Sequence, residues 1–231
     1  MRAVMVSQKP LFCENIANGK KTILITKTKP SIKTPFKGYI YCTKAKTLGD
    51  IILCKGKENS ELFGYNSVVG INKGFSEKED INLKGMVIGE FVCDEVEEFH
   101  EWELTPQGRY ADRERERLEN FLTASCLSEE ELVCYREDLP YYKPLYGWHI
   151  SNLEIYDCPK ELKDFSVIDE DEVKKCPYRE QNYFAFTDTG YIKNGFGCNK
   201  YEDEWCFRCK TRPLSSPPSP WCYIEGVNED E

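Results

Sequence analysis

The stretch that most constrains the fold is residues 19–30, which read GKKTILITKTKP. Four lysines and three threonines surround the apolar run at residues 23–25, and a short run rich in β-branched residues predicts a strand. The glycine at its start predicts the end of a preceding helix. Two interpretations of the lysines stay open: they hold a phosphate or a nucleotide, or they protect a sheet edge from pairing with another chain.

The charge is distributed unevenly along the 231 residues. Residues 1–57 contain twelve lysines and arginines against two acids, Glu14 and Asp50, whereas the whole chain has a net charge of −9. The basic part can bind nucleic acid locally, but the acidic remainder argues against sequence-blind coating of duplex DNA. No apolar run approaches the roughly 18 residues of a membrane span, and we expect a cytoplasmic protein.

The chain contains twelve cysteines. Eight are dispersed through apolar or mixed segments and are typical of small buried hydrophobic residues in a reducing compartment; they are Cys13, Cys42, Cys54, Cys93, Cys126, Cys134, Cys158 and Cys222. The other four, Cys176, Cys198, Cys206 and Cys209, are candidates for a structural zinc site. Only Cys206 and Cys209 have the tight CxxC spacing, so free thiols and disulfides stay open as alternatives.

The pattern of elements predicts class α+β, specifically a small, partly closed β-barrel with helices in the loops. Strand-like runs occur at residues 3–6, 22–26, 38–42, 50–54, 85–96, 145–156 and 221–224. Helical patterns occur at residues 10–17, 112–121 and 128–136, the last beginning with a capping box. We expect a barrel domain over residues 1–167 with an inserted loop at 56–82. A Cys-rich insertion at 168–220, a final barrel strand at 221–227 and an acidic tail at 228–231 follow.

The segment around Lys21 resembles the ASCH domain, a family of the PUA-like superfamily whose signature is Gly-x-Lys-x-x-Glu-x-Arg. In this register Gly19 and Lys21 match, whereas Leu24 and Thr26 replace the glutamate and the arginine. Further segments resemble phage-type and Gram-positive bacterial members of the family. They are KTKP at 27–30, YIYCTK at 39–44, VIGEF at 87–91, CLS at 126–128, GWHI at 147–150, RP at 212–213 and WCY at 221–223.

The resemblance implies a PUA-like barrel whose cleft is lined by the Gly-x-Lys segment and which binds RNA or modified nucleosides. One bacterial branch hydrolyses the acetyl amide of N4-acetylcytidine with a lysine, a threonine three residues later and a glutamate from a helical region. Lys21 matches that lysine, but Leu24 stands at the threonine position and residues 123–125 read Thr-Ala-Ser where an acid is needed. Because amide hydrolysis needs a base or an activated nucleophile, Lys21 is a weak catalytic candidate and a better binding candidate.

The first binding candidates are the basic residues of this segment and their neighbours. These candidates are Lys21, Thr22, Lys27 and Lys29. Alternation along a regular strand places residues 21, 23, 25, 27 and 29 on one face, so we expect Lys21 and Lys27 to flank the apolar residues 23 and 25, with Lys29 just beyond. Lys44 follows the next predicted strand. Glu90 lies on an apolar strand, where a carboxylate needs a partner, and we expect it to pair with Lys21.

Three ring-bearing candidates complete the predicted site. Tyr41 and Trp148 stack on bases in one interpretation and belong to the core in the other. His149 is one of two histidines and acts as an acid, a base or a hydrogen-bonded structural residue.

These features favour a module that binds single-stranded RNA or a nucleotide through a basic cleft at residues 19–29. Two alternatives from other classes stay open. The first is an amidohydrolase acting on a modified nucleoside such as N4-acetylcytidine. The second is a phage or accessory factor that binds a protein partner through its acidic, Cys-rich region.

Overall fold

The computed structural model describes residues 2–44, 50–54, 67–71, 81–103, 111–169, 184–187, 190–193 and 211–225. The predicted zinc ligands Cys176, Cys198, Cys206 and Cys209 and the predicted acidic tail at 228–231 lie outside these residues. The helices are Pro10–Ala17 (α1), Ala111–Ser125 (α2) and Glu129–Arg136 (α3). Single 3-10 turns occur at Glu101–Glu103 and Leu162–Asp164.

Fifteen strands are present in the described part of the chain. In order they are Arg2–Gln8 (β1), Ile23–Thr26 (β2), Phe36–Cys42 (β3), Asp50–Cys54 (β4), Ser67–Ile71 (β5), Ile81–Asn82 (β6), Val87–Cys93 (β7), Val96–Phe99 (β8), Leu145–His149 (β9), Ser151–Lys160 (β10), Ser166–Ile168 (β11), Phe184–Thr187 (β12), Gly190–Lys193 (β13), Thr211–Pro213 (β14) and Trp221–Glu225 (β15). The predicted class α+β is confirmed. No described helix is both long and apolar enough to cross a membrane.

The largest sheet has seven strands in the order β10-β7-β3-β1-β15-β11-β14. Strands β1 and β3 are parallel, and the other pairs are antiparallel. The final strand, β15, lies between β1 and β11. The predicted barrel closure is wrong for the described residues, since β10 and β14 form two separate edges of this sheet and do not pair with each other.

Two predicted strands are each divided between the seven-stranded sheet and a smaller sheet. The predicted long strand at 85–96 divides into β7 in the seven-stranded sheet and β8 in a three-stranded sheet of order β2-β9-β8. The predicted strand at 145–156 divides in the same way into β9 and β10. The chain therefore changes sheets at two corners, as happens where sheets pack at an angle, and Leu24 and Trp148 of the smaller sheet pack against Val4 and Ile40 of the larger one in a shared core cluster.

Apolar side chains cover both faces of the seven-stranded sheet. One core cluster contains Val4, Ile40, Phe91 and Trp148, and the other contains Met5, Tyr39 and Phe165 on the opposite face. Because both faces are buried, residues 3–6 of β1 read as a continuous apolar run, which is typical of a central strand. Each such side chain contributes about 1.5–3 kcal/mol when fully buried.

The three-stranded sheet packs against α2 and α3 and holds a third core cluster. Leu118 and Phe121 of α2 are buried, and their spacing of three residues makes a narrow apolar stripe on one face of that charged helix. The rings of Phe99 and Phe121 stack with centroids 4.5 Å apart. The predicted capping box of α3 is also confirmed, because Ser128 and Glu131 exchange side-chain and backbone hydrogen bonds.

Two smaller sheets complete the described fold. Strand β4 pairs with β5 and β6, and β12 pairs with β13. Strands β5 and β6 fall within residues 56–82, so part of the segment predicted as an inserted loop is strand.

Candidate ligand-binding groove

Lys21 is a buried residue that caps a helix. Helix α1 is followed by Gly19, whose φ of +69° turns the chain back toward α2. The Lys21 ammonium, 3% exposed, donates a hydrogen bond to the Ser125 carbonyl at the end of α2 and lies 4.7 Å from the Phe12 ring centroid. A cation at this position complements the negative end of the helix dipole. Lys21 therefore bonds to the end of α2 and does not point into solvent.

Burial also changes the proton affinity of Lys21. Desolvation lowers the pKa of Lys21 to about 8, although Cys126 and Glu131 act in the opposite direction. Buried ammonium groups behave in this way because the interior solvates the charged form poorly.

The predicted pair between Lys21 and Glu90 is wrong. Glu90 instead forms an ion pair with Lys37 at 2.7 Å and accepts a hydrogen bond of 2.5 Å from the Tyr156 hydroxyl. Glu90 lies on β7 of the seven-stranded sheet, whereas Lys21 precedes β2 of the other sheet and bonds to Ser125. The carboxylate thus has its partners, but on a surface separate from the basic segment.

The predicted common face of Lys21, Lys27 and Lys29 is also wrong. Strand β2 ends at Thr26, whose hydroxyl donates to the Thr28 carbonyl at 2.6 Å, so the alternation stops before the last two lysines. Lys27 pairs with Asp138 at 3.4 Å. Lys29 pairs with Glu98 at 2.8 Å, and this hydrogen bond raises the pKa of Lys29.

The aromatic candidates are part of the core. Tyr41 is 3% exposed and Trp148 is fully buried, so neither presents a ring face to a base. The Trp148 ring packs edge-on against Phe36 and Trp221, with centroids 5.7 and 5.5 Å away. Lys44 is exposed, and its side chain lies across Gly85 of the turn before β7.

A groove of about 450 Å³ lies between α2 and the three-stranded sheet. The helix contributes one face to it, made of Arg113, Glu116, Arg117, Asn120, Phe121 and Ala124. The sheet side contributes Thr22, Ile23, Glu97 and His149. The backbone holds the two sides together, because the Thr22 amide donates to the Ala124 carbonyl at 2.8 Å and the Ile150 amide donates to the Thr22 carbonyl at 2.9 Å.

Positively and negatively charged side chains line this groove. The Nε2 atom of His149 lies 3.4 Å from a carboxylate oxygen of Glu97, and a guanidinium nitrogen of Arg117 lies 3.6 Å from the other oxygen. Arg117 also forms an ion pair with Glu103 and donates to the Glu98 carbonyl at 2.9 Å. Arg117 is thus held in place. In the described structure His149 Nε2 is buried and lacks a hydrogen-bond partner.

The groove brings together two predicted site residues, Thr22 and His149. It also contains Arg113, Arg117 and Asn120, which sequence reasoning missed because the charged run at residues 112–121 is typical of a solvated surface helix. A signal was present nevertheless. Residues 113, 117, 120 and 124 are spaced by three or four, which places them on one face of a helix.

The described residues contain no group of three or more potential metal ligands. The predicted zinc site lies outside these residues and stays a prediction.

Comparisons with known proteins give likenesses of fold. No family model matches the chain, and no curated protein matches it. A solved structure of an ASCH protein from Zymomonas mobilis is similar over 84% of this chain and 90% of its own, with 13% identity and a TM-score of 0.40. A single-substitution variant of that protein is similar over 87% of this chain and 96% of its own, with 13% identity and a TM-score of 0.41. At these values the likenesses assign no function, and both structures carry the family name that the sequence motifs resemble.

Proposed function

We propose that the protein binds a nucleotide, free or as part of single-stranded RNA, in the groove between α2 and the three-stranded sheet. The observation that carries the proposal is the lining of this groove, which combines the arginines Arg113 and Arg117 with Asn120, His149 and Thr22. Its volume of about 450 Å³ is in the range of small-molecule and cofactor sites. The basic segment at residues 19–29 borders the groove through Thr22 and supports it through Lys21.

The residue types in the groove suit the two parts of a nucleotide. Guanidinium groups bind phosphate oxygens through paired, charge-assisted hydrogen bonds. Asn120, His149 and Glu97 offer donors and acceptors of the kind that read base edges, and Phe121 and Ile23 supply apolar surface beneath a base.

Lys27 and Lys29 provide secondary phosphate contacts in this proposal. Their partners Asp138 and Glu98 are 92% and 43% exposed, and ion pairs between exposed groups contribute only about 0–1 kcal/mol. A phosphate from a bound strand therefore exchanges for either carboxylate at little cost in free energy.

The test compares two arginines of the same helix. Arg113 lines the groove, whereas Arg115 is exposed on α2 and is absent from the groove lining. With a fluorescently labelled, mixed-sequence RNA decamer, we expect Arg113→Ala to raise the Kd about tenfold, the loss of one charge-assisted contact, and Arg115→Ala to leave it nearly unchanged. Equal effects of the two changes, or no binding of RNA and nucleoside monophosphates by the wild type, would refute the proposal.

A second candidate function rests on the contact between His149 and Glu97. A carboxylate 3.4 Å from an imidazole is an arrangement that supports general acid–base chemistry, and Thr22 supplies a hydroxyl on the same groove. In an amidohydrolase, His149, Glu97 and Thr22 would supply the acid–base groups and the hydroxyl that are missing at the family positions that accompany Lys21. Incubation with N4-acetylcytidine followed by chromatography is the test. For this second function we expect the wild type to release cytidine and acetate, and Glu97→Gln to lose turnover. Release of no cytidine by the wild type would exclude it.

A further inference from the structure

Among the residues that the structure describes, most of the exposed large apolar side chains lie on α3, in the turn after β8 and in the loop before β9. Strand β9 begins at Leu145, just after Tyr141 and Tyr142, which are 64% and 74% exposed. Because Phe99 of β8 pairs with Leu145, the turn that carries Trp102, 48% exposed, reaches the same end. We call Trp102, Val133, Tyr141 and Tyr142 the aromatic surface.

A buried arginine fixes the backbone beneath the aromatic surface. Arg136, 4% exposed, donates to the Tyr141 carbonyl at 2.9 Å and to the Lys143 carbonyl at 2.6 Å. The same guanidinium donates to the Glu101 carboxylate at 3.2 Å. One side chain thus joins α3, the loop before β9 and the turn before Trp102.

The Trp102 ring is held as well, because it stacks on His100 at 3.9 Å with an interplanar angle of 12°. Aromatic groups that are ordered before binding lose little conformational entropy when a partner docks. The groove chemistry uses neither Trp102 nor the two exposed tyrosines.

The rim of the aromatic surface is acidic. Exposed carboxylates lie about one turn from Val133 on α3 and just after this helix; they are Glu129, Glu130, Glu137 and Asp138. Two lysines lie next to this rim: Lys27, which pairs with Asp138, and Lys143, which is exposed and follows Tyr142, so the carboxylates outnumber the cations. A phosphate backbone is repelled by such a rim, whereas lysine and arginine side chains are attracted to it.

We propose that the aromatic surface docks a protein partner through a basic segment that carries apolar anchor residues. Tyrosine and tryptophan are enriched in protein interfaces and among the residues that dominate their binding energy. Charge complementarity with the acidic rim selects a basic partner and sets the orientation of its approach. This docking is independent of the nucleotide groove.

The experiment is a selection from a random peptide display library against the full chain. The selected peptides are then synthesised and titrated against the wild type, Tyr141→Ser/Tyr142→Ser and, as a matched control, Leu11→Ser. Leu11 is 63% exposed on α1 and lies outside the aromatic surface. Thermal denaturation checks that each variant is folded, and Glu129→Lys/Glu130→Lys tests the rim without touching the aromatic rings.

We expect selected peptides that combine lysine or arginine with large apolar residues. Their Kd rises about tenfold or more in the double tyrosine variant, as expected when interface anchors are lost, rises in the charge-reversed variant, and stays unchanged in Leu11→Ser. The proposal is overturned if no peptide is recovered or if the recovered peptides are acidic. It is also overturned if the peptide Kd is the same in both double variants as in the wild type. It is overturned equally if labelled single-stranded RNA or self-association of the chain, and not peptide binding, depends on Tyr141 and Tyr142.

Discussion

At the scale of single residues, Lys21 shows how a motif locates a site without giving the role of its side chain. The Gly-x-Lys pattern correctly marks a turn next to the groove. The lysine itself points inward to the Ser125 carbonyl, and the groove is lined instead by its neighbour Thr22. The role of the Lys21 side chain depends on where α2 ends. This helix end lies about a hundred residues later in the chain, so the sequence around Lys21 does not encode the contact.

The lowered pKa of Lys21 predicts a specific pH dependence of stability. The unfolded chain keeps this proton until about pH 10.5, whereas the folded chain releases it near pH 8. The unfolded state therefore binds more protons in this window, and the contribution of Lys21 to stability rises with pH. Relative to Lys21→Met, the wild type should gain up to about 3 kcal/mol between pH 7.5 and pH 10.5, measured by urea denaturation.

The control is Lys20→Met, because Lys20 is the exposed neighbour of Lys21. The difference in unfolding free energy between that variant and the wild type should stay flat over the same pH range. A flat difference for Lys21→Met as well would show that the Lys21 ammonium is not desolvated in the folded protein.

At the scale of elements, β3 depends on a close approach between its backbone and a ring of β7. A Cβ atom added at Gly38 would lie 2.3 Å from the Phe91 ring, and Phe91 is 1% exposed in the core. We expect Gly38→Ala to lower the unfolding free energy by about 1–3 kcal/mol through overpacking, measured by chemical denaturation.

Replacing Phe91 with a smaller side chain would relieve the contact with the added Cβ atom at residue 38. Gly38→Ala should therefore cost less free energy in a Phe91→Leu background than in the wild type. Additive effects of the two substitutions would contradict the packing explanation, because coupled residues in contact do not add.

The capping box of α3 gives a second prediction at this scale. Ser128 accepts a hydrogen bond of 3.2 Å from the Glu131 amide, and removal of such a cap typically costs about 1 kcal/mol. Ser128→Ala should lower the melting temperature, whereas Ser128→Thr keeps the hydroxyl and should change it little. Equal losses in both variants would show that the hydroxyl does not stabilise the helix.

Elements with a local signal could be predicted from the sequence, and their arrangement could not. The capping box at Ser128, the buried pair Leu118 and Phe121 and the central strand at residues 3–6 all follow from spacing and side-chain type. The predicted barrel was wrong because the two corners where the chain passes from one sheet to the other depend on packing between distant segments. The groove was missed because its arginines come from α2, and only the fold places them opposite Thr22 and His149.

At the scale of the whole molecule, the question is whether the basic segment or the groove carries nucleic-acid binding. In the groove the two arginines Arg113 and Arg117 are balanced by Glu97 and Glu116. In Lys27→Gln/Lys29→Gln, which lacks the secondary phosphate contacts, these arginines neutralise at most two phosphates, and log K should fall with log salt at a slope no steeper than about −1.4 for a single strand. RNA titrations at several salt concentrations measure this slope.

A steep salt dependence would point to the lysines instead. Lys20, Lys27 and Lys29 are the lysines of residues 19–30 that reach solvent, and acting together on a strand without the arginines they would give a slope near −2 that is largely lost in Lys27→Gln/Lys29→Gln. The matched control is Lys27→Gln/Lys29→Gln, which should weaken RNA binding only slightly and leave most of the affinity in place.

The central claim is the position of the ligand, and nuclear magnetic resonance measures it directly. A nucleoside monophosphate and a short single-stranded RNA are titrated in turn into ¹⁵N-labelled protein while the backbone amide shifts are followed. We expect both ligands to change the amide chemical shifts of Thr22, Asn120 and His149, around the groove, and to leave those of Lys37 and Glu90 unchanged. Shifts confined to the seven-stranded sheet or to residues 27–29, or no shifts with either ligand, would contradict this claim.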